Sequence, residues 1–526
     1  MGNKKLQVWL PLIFSVVLII GMLLGYKMGN KHGGQFFGSN SRGTLQKALD
    51  LIRLRYVDSV MTDSLQGKAI EEMINELDPH SLYLPPVQLQ EANEDLEGKF
   101  DGIGIEFSVF ADTINIVHVI SGGPGEKAGL QIGDKIIKVN DSLLAGKNRS
   151  RDEIKNFIKG SKGSKVILQL LRDGKEQLVT VTRNTIPVSA IDAAYMMDKT
   201  TGYIKLEKFS ENSYEEFMSA LETLQKQGLK DLVFDLRENG GGFMDEAVDI
   251  ADEFLDGDKL IVYTEGVNNK KREYRCKRPG LFEKGKLVVL VDELSASASE
   301  VVAGALQEWC RATIIGRRSF GKGLVQEQFP LGDGSAIRLT IARYYTPLGR
   351  SIQRSYEKGR KVYMDELWER HSTGELRFKD SNKVNNGKVF LTVCKDTVYG
   401  GGGIMPDIFV SIDTILYGKQ LNNLIAGSNL GSFAYYYYLK NKKQMEQYKS
   451  ATDFTRRFNA ADLWNDFIKQ PGNSIEAGLI KGREKELIQQ RLKAILARYK
   501  WRGAGYYEVL NSDDVVIQKA LEKIKQ

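Results

Sequence analysis

Ser297 and Lys322 are the two residues whose surroundings best fit chemistry. Ser297 stands in Ser295-Ala-Ser-Ala-Ser-Glu300, directly after the apolar run Leu287-Val-Val-Leu-Val291. Lys322 stands in Phe320-Gly-Lys-Gly-Leu-Val-Gln326, after a second apolar segment, Ala312-Thr-Ile-Ile-Gly316. A serine hydroxyl becomes a useful nucleophile only when a base takes its proton. A lysine can be that base only when neutral near the working pH. Its reference pKa of about 10.4 must come down by roughly 3, a selective destabilisation of the ammonium by about 4 kcal/mol. Burial among apolar groups supplies that. Gly321 and Gly323 allow close backbone approach, Phe320, Leu324 and Val325 can exclude water, and Gln326 can orient the amine through its side-chain carbonyl. Spacing alone leaves Ser295 and Ser299 as rival nucleophiles, and any of these serines can instead cap the helix that follows.

Acyl chemistry also needs hydrogen-bond donors for a developing oxyanion. Asp235-Leu-Arg-Glu-Asn-Gly-Gly-Gly242 follows a buried apolar strand, and its glycines let a backbone N–H point into a cleft. A second donor is the amide of Ala298, at a helix N-terminus beside the serine. A glycine run by itself most often marks a turn; its weight comes from company with Ser297 and Lys322.

The elements that must hold these groups alternate between strand and helix. Strands are expected at 202–206, 232–236 and 287–291, and helices at 213–225, 245–254 and 297–310. That order implies an α/β core, a mixed sheet with crossover helices. Residues 334–345 read as a strand closing that core, and 355–390 as a charged, poorly periodic excursion. Residues 44–97 read as helical, with Pro79, Pro85 and Pro86 breaking the pattern. From about 415 onward the chain again reads as helical.

Residues 98–185 differ. Gly102-Ile-Gly-Ile-Glu-Phe107 leads into a strand, Ile114-Asn-Ile-Val-His-Val-Ile120 is a β run, and Asp173-Gly174 turns a final hairpin. With Pro124-Gly-Glu-Lys-Ala-Gly-Leu130 and Gly133-Asp-Lys-Ile-Ile-Lys-Val-Asn140, the segment resembles a PDZ domain. The mode this implies is β-augmentation, with backbone amides of Gly102, Ile103, Gly104 and Ile105 capturing a terminal carboxylate.

Composition excludes several other classes. The 526 residues are ordinary in apolar content at 42% and carry a diluted net charge of +7, which gives no argument for nucleic acid. The three cysteines, Cys276, Cys310 and Cys394, show no CxxC spacing, so neither a disulfide framework nor a zinc site is expected, though one disulfide fits an exported domain. The four histidines, His32, His80, His118 and His371, are scattered, and a Ser-His hydrolase using His80 or His118 would need the fold to bring one in. Near the start, Lys4 and Lys5 precede an uncharged apolar stretch, Val8 to Gly25. As a helix it spans roughly 27 Å, close to the hydrocarbon thickness. An uncleaved signal anchor is expected there, followed by a Gly/Asn/Ser-rich linker.

Taken together, the motifs resemble the carboxy-terminal processing peptidases, or tail-specific proteases, over residues 44–412. The resemblance rests on Leu77-Asp-Pro-His-Ser-Leu-Tyr-Leu84, the PDZ segment, Asp235 to Gly242, Ser295 to Glu300, Phe320 to Gln326, Tyr344-Tyr-Thr-Pro-Leu-Gly-Arg-Ser-Ile-Gln353 and Gly403-Ile-Met-Pro-Asp407. It implies Ser297 as nucleophile, Lys322 as base, Gln326 as the residue that positions the lysine, and Gly241 with Ala298 as the oxyanion hole. Gly240 replaces a usual Pro and Leu294 a common Gly, and neither change removes a reacting side chain. The implied organisation is a membrane anchor (1–28), a linker (29–43), a helical N-terminal region (44–97), the PDZ domain (98–185), the Ser/Lys protease core (186–412) and a helical C-terminal region (413–526). The implied activity is a serine endopeptidase at the inner membrane, single-pass, facing the periplasm, without metal or cofactor. It would act through an acyl-enzyme on exported proteins with free C-termini; a homo-oligomer or an adaptor is left open. A catalytically silent PDZ adaptor that only binds tails is the alternative.

Overall fold

The strand Leu287–Val291 is apolar along its whole length because both of its faces are covered. Leu287, Val289 and Val291 enter one buried cluster with Phe217, Leu221, Val302 and Leu306. Val288 and Leu290 enter another with Val516, Ile517, Ala520 and Ile524. Successive strand side chains point to opposite faces, so one run of five residues seeds two cores. The sheet around it runs Ile191–Met196, Thr201–Leu206, Asp231–Asp235, Leu287–Val291, Thr313–Gly316, Ile408–Phe409. Its first pair is antiparallel and the remainder parallel. Helices Ser213–Lys226, Met244–Asp252 and Ala298–Glu308 contribute to the first cluster, and helix Val515–Lys525 to the second.

This computed structural model describes residues 14–19, 21, 22, 43–378, 388–413, 428–470 and 480–526. It divides into two compact units, residues 1–72 and 73–526. In the first, Thr44–Arg55 is helical. The expected anchor, residues 8–25, lies largely outside the described residues; 14–19, 21 and 22 within it are helical. Among the described residues no helix is long and apolar enough to cross a membrane.

In the second unit the strand Ala336–Tyr345 does not close the α/β core, as the sequence had implied. It is the centre of a separate sheet, pairing with Leu82–Leu84, Leu260–Glu265 and Leu324–Pro330. The reason lies in its alternation: Arg338 and Arg343 interrupt the apolar run, so it cannot be buried on both faces. Leu82–Leu84 also interrupts the expected helical run of 44–97, with helix Pro86–Glu97 starting anew at a proline in its first turn. The charged stretch 355–390 contains helix Arg360–Ser372, which a period count missed because its polar residues fall on every face.

Residues 98–185 form a β-rich module on a two-strand stalk, Lys99–Gly102 against Asn184–Pro187. Its sheet runs Ile105–Phe110, Thr113–Val119, Lys135–Val139, Lys165–Arg172, Lys175–Thr182. Helix Arg151–Ile158 starts at a capping box, with Ser150 N–H donating to Glu153 at 2.7 Å and Glu153 N–H to Ser150 Oγ at 3.2 Å.

The C-terminal helices connect this module to the core. Tyr435 donates to the Ile116 carbonyl at 3.1 Å, and Arg502 pairs with Glu106. The long helix Arg483–Asn511 breaks at Arg502, φ 56°. The next residue must be glycine, since a Cβ on Gly503 would fall 1.8 Å from the Asp192 carbonyl oxygen. Asp514 then caps helix Val515–Lys525, accepting Val516 N–H at 2.7 Å, and binds Arg237 at 2.7 Å. A disulfide joins Cys310, just beyond helix Ala298–Glu308, to Cys394 between strands Val389–Leu391 and Thr397–Tyr399; Cys276 is buried and free.

Candidate active site

The three serines of Ser295-Ala-Ser-Ala-Ser299 are separated by what their hydroxyls do. Ser295 donates to the Leu236 carbonyl at 2.8 Å, and Ser299 to the Asn239 carbonyl at 2.9 Å; both are fully buried. Ser297 donates to no described residue and lines a cavity of about 450 Å³ with Gly241, Ala298, Lys322, Gln326, Arg338 and Tyr344. Its backbone sits at φ 54°, ψ −112°, on the sharp turn between strand and helix. Such a conformation costs about 1–3 kcal/mol for a residue with a Cβ and must be held by its surroundings.

Glu300 holds it. This carboxylate is fully buried, and it accepts Ser297 N–H at 2.9 Å and Lys322 N–H at 2.9 Å on the same oxygen. Its other oxygen accepts Gly321 N–H at 2.7 Å and the Ser319 hydroxyl. One side chain thus fixes the backbones of serine and lysine against each other. Tyr344 adds a second tie, its hydroxyl lying 2.8 Å from the Lys322 carbonyl and 3.1 Å from the Ser297 carbonyl.

Lys322 is pulled down to about 8 by burial, with the Arg338 charge helping; Glu300 and Asp78 act the other way. At pH 7 roughly one such lysine in ten is neutral, against fewer than one in a thousand for an ordinary one. Its ammonium donates to Gln326 Oε1 at 2.9 Å. Among the described residues no hydrogen bond joins Ser297 Oγ to Lys322 Nζ. Such contacts are often long before substrate arrives.

The two expected oxyanion donors differ. Ala298 N–H, first in its helix, has no described acceptor. Gly241 N–H donates to Asn239 Oδ1 at 2.9 Å. Gly241 has φ +99°, and a Cβ there would lie 2.8 Å from Ser297 Cβ, so only glycine lets this loop meet the serine.

Of the histidines, His118 lies in the β-rich module and His80 near the lysine. Burial and then the Lys322 charge pull His80 down to about 3, and its Nε2 pairs with the Tyr363 hydroxyl at 2.8 Å. No described bond links either histidine to Ser297.

In the β-rich module the predicted tail site is an open edge. Among the described residues strand Ile105–Phe110 pairs on one side only, with Thr113–Val119. The amides of Ile103 and Gly104 have no described acceptor, and Gly104 takes φ +71°. Ile103 and Phe107 share a buried cluster with Ile154 and Ile158 of helix Arg151–Ile158, so the strand packs directly on that helix. Gly102, by contrast, is the last residue of the stalk strand, opposite Asn184.

Sequence reasoning gave Glu300, Tyr344, Arg338 and Asn239 no role, and His80 only that of a rival base. Glu300 had a signal, the Ser-x-x-Glu spacing of a capping box. Asn239, Tyr344 and His80 stand within the quoted motifs, which do not state their hydrogen bonds; Arg338 carries no signal.

A buried strand delivering a serine on a strained turn, faced by a desolvated lysine and a glycine-lined loop, defines a serine peptidase. Known proteins place it further. Residues 200–359 match peptidase family S41, residues 102–182 match the PDZ domain, and residues 420–503 match a family of unknown function. The chain is 35% identical over 308 residues to the carboxy-terminal-processing protease of Bartonella bacilliformis, covering 57% of this chain and 70% of that one. It is 36% identical over 380 residues to the carboxyl-terminal-processing protease of a Synechocystis species, covering 67% of this chain and 87% of that one. Among solved structures, the photosystem II D1 C-terminal processing protease aligns at 25% identity with a TM-score of 0.36, over 69% of this chain and 86% of that chain. The chain belongs to the carboxy-terminal processing proteases of peptidase family S41.

Proposed function

We propose that this serine peptidase is an endopeptidase in which Ser297 is the nucleophile and Lys322 the general base, and which takes its substrates by their C-termini. The observation that carries the reading is the contrast among the serines: Ser297 alone of the three keeps an undonated hydroxyl in the cavity it shares with Lys322. Neutral Lys322 takes the Ser297 proton as Oγ adds to the scissile carbonyl. Ala298 N–H receives the developing oxyanion, and Gly241 N–H joins it by leaving Asn239 Oδ1. As the tetrahedral species collapses, the ammonium of Lys322 protonates the departing amine, leaving an acyl-Ser297 ester. Water, deprotonated by Lys322, then releases the acid.

The substrate's last residues add to the free edge of Ile105–Phe110, with the terminal carboxylate on the amides around Ile103 and Gly104. This raises the local concentration of chain ends near the cleft. The peptidase works outside the cytoplasm, anchored in the inner membrane by residues 8–25 and facing the periplasm. The Cys310–Cys394 disulfide supports an oxidising compartment.

A fluorophosphonate probe tests the chemistry. Intact mass should show one adduct, and peptide mapping should place it on Ser297. An adduct on Ser295 or Ser299, or none at all, overturns the assignment. Thiol-trapping in whole cells tests the compartment: Cys310 and Cys394 should resist alkylation until reduced.

A further inference from the structure

We propose that His80 is a positioning residue for the base, acting through its main-chain carbonyl on Gln326; the proposal rests on Lys322 being the base. Gln326 Nε2 donates to the His80 carbonyl oxygen while Gln326 Oε1 accepts from Lys322 Nζ at 2.9 Å. A carbonyl oxygen can only accept. It therefore dictates which end of the Gln326 amide faces His80, and leaves the acceptor end for the lysine. Were the amide reversed, its N–H donors would face the ammonium, and the neutral amine would spend its lone pair on them. With Oε1 in place, Lys322 gives one N–H to the glutamine and keeps its lone pair for the serine. The role parallels that of a carboxylate fixing a histidine tautomer in other hydrolases, here played by an amide and a peptide bond.

The His80 carbonyl is itself closely held. Asp78 Oδ1 accepts His80 N–H at 2.8 Å and Ser81 N–H at 2.9 Å. Ser81 Oγ accepts Thr340 N–H at 3.0 Å, and Thr340 is the register partner of Gln326. Leu82–Leu84 then pairs with the strand that carries Thr340. On the other side the imidazole is pinned by Tyr363 Oη at 2.8 Å and meets the Phe320 ring edge-on at 6.2 Å. With its pKa pulled down to about 3 the imidazole is too weak a base to compete with Lys322, and its Nε2 is engaged by Tyr363. A segment 246 residues before Gln326 thereby sets the aim of the lysine.

The test uses full-length enzyme with quenched-fluorescent casein, comparing Tyr363→Phe, His80→Ala, Gln326→Ala and the two double variants. Tyr363→Phe and His80→Ala should each lower kcat roughly tenfold, a fraction of the 10²–10⁴ that a general base supplies, with KM within about twofold. In the Gln326→Ala background neither should cost more than about a further twofold, because both act through that amide. The pH profile is the second readout. The charged and titratable groups facing Lys322 are Glu300 on its own side of the cleft, Arg338 on the neighbouring strand, Asp78 and His80 before Leu82, and Lys208 across the cavity. None of the first four is altered by Tyr363→Phe except through His80 itself. Gln326 Oε1 favours the ammonium, so loosening it should move the limb of kcat/KM to lower pH by roughly half a unit. General loosening would admit water and move it upward. Unchanged kcat, additive losses in the Gln326→Ala background, or an upward limb each overturns the proposal. If His80→Ala does not fold, Tyr363→Phe, which removes a single oxygen, decides. Lys322→Ala separates the two levels: activity in that variant refutes the base itself, whereas an inert Lys322→Ala beside a wild-type-like Tyr363→Phe refutes only the role of His80.

Discussion

The cleft around Ser297 and the open edge of strand Ile105–Phe110 are built on opposite plans. The cleft is fixed by buried polar side chains, each with several partners: Glu300 accepts four donors, and Tyr344 touches the carbonyls of both serine and lysine. The edge offers two spare amides, beside a buried apolar cluster of Ile103, Phe107, Ile154 and Ile158. Reaction geometry tolerates little error, so it is over-determined by groups that would be costly to leave unpaired. The tail capture proposed for the edge needs only the direction of a free strand, which is left open.

That contrast predicts steep losses in the cleft and graded ones at the edge. Ser297→Ala and Lys322→Ala should each reduce kcat on the order of 10⁴-fold or more with the fold intact, and the pair should be no worse than either alone. Substantial casein turnover by folded Ser297→Ala would falsify the dyad. Glu300→Gln should come next, with kcat down on the order of 100-fold and a lower Tm, because its amide end meets N–H donors it cannot accept; each buried donor left unpaired costs about 1–3 kcal/mol. Equal kcat and Tm for that variant would show that the carboxylate is not the tie between the two catalytic backbones. At the edge, a peptide with a free C-terminus should be cleaved roughly tenfold faster than its amide, a difference of about 1.4 kcal/mol. Equal rates would remove tail selection from the edge.

The smallest effects concern protons. Activity should climb as pH rises through about 8, where Lys322 loses its proton. A limb near 6.5 that vanished with His80 would point to the histidine. Stability should show a separate dependence. Folded His80 stays unprotonated down to about 3, whereas the unfolded chain protonates it near 6.5. Between those values the unfolded state binds more protons, so stability falls as pH drops through the window. Melting His80→Gln across pH 4 to 7 should give a flatter dependence than the parent.

Much of this was legible in the sequence where it was written locally. The apolar run before Ser295, the glycines around Lys322 and the Asp173-Gly174 hairpin each state their conformation within a few residues. The α/β order followed from alternation. The assignment of 334–345 to the wrong sheet shows the limit: a strand's propensity says that it pairs, not with which sheet. His80 shows a deeper one. Its contribution passes through a peptide carbonyl, which every residue possesses, to a side chain 246 positions away. No composition or spacing could mark it. Gly241 was readable as a close approach, but its present hold on Asn239 Oδ1 was not, since Asn239 looks like any turn residue.

Helix Val515–Lys525 carries a consequence for the order of events in the life of the molecule. It buries Val516, Ile517, Ala520 and Ile524 against the sheet, the larger three worth about 1.5–3 kcal/mol each, and its capping Asp514 grips Arg237 at the root of the glycine loop. On the ribosome the serine and lysine are made long before residues 515–525. Until that last stretch arrives, one face of the sheet stays bare and the loop beside the serine lacks its brace. The cleft is thereby completed last, after its serine and lysine have already been made.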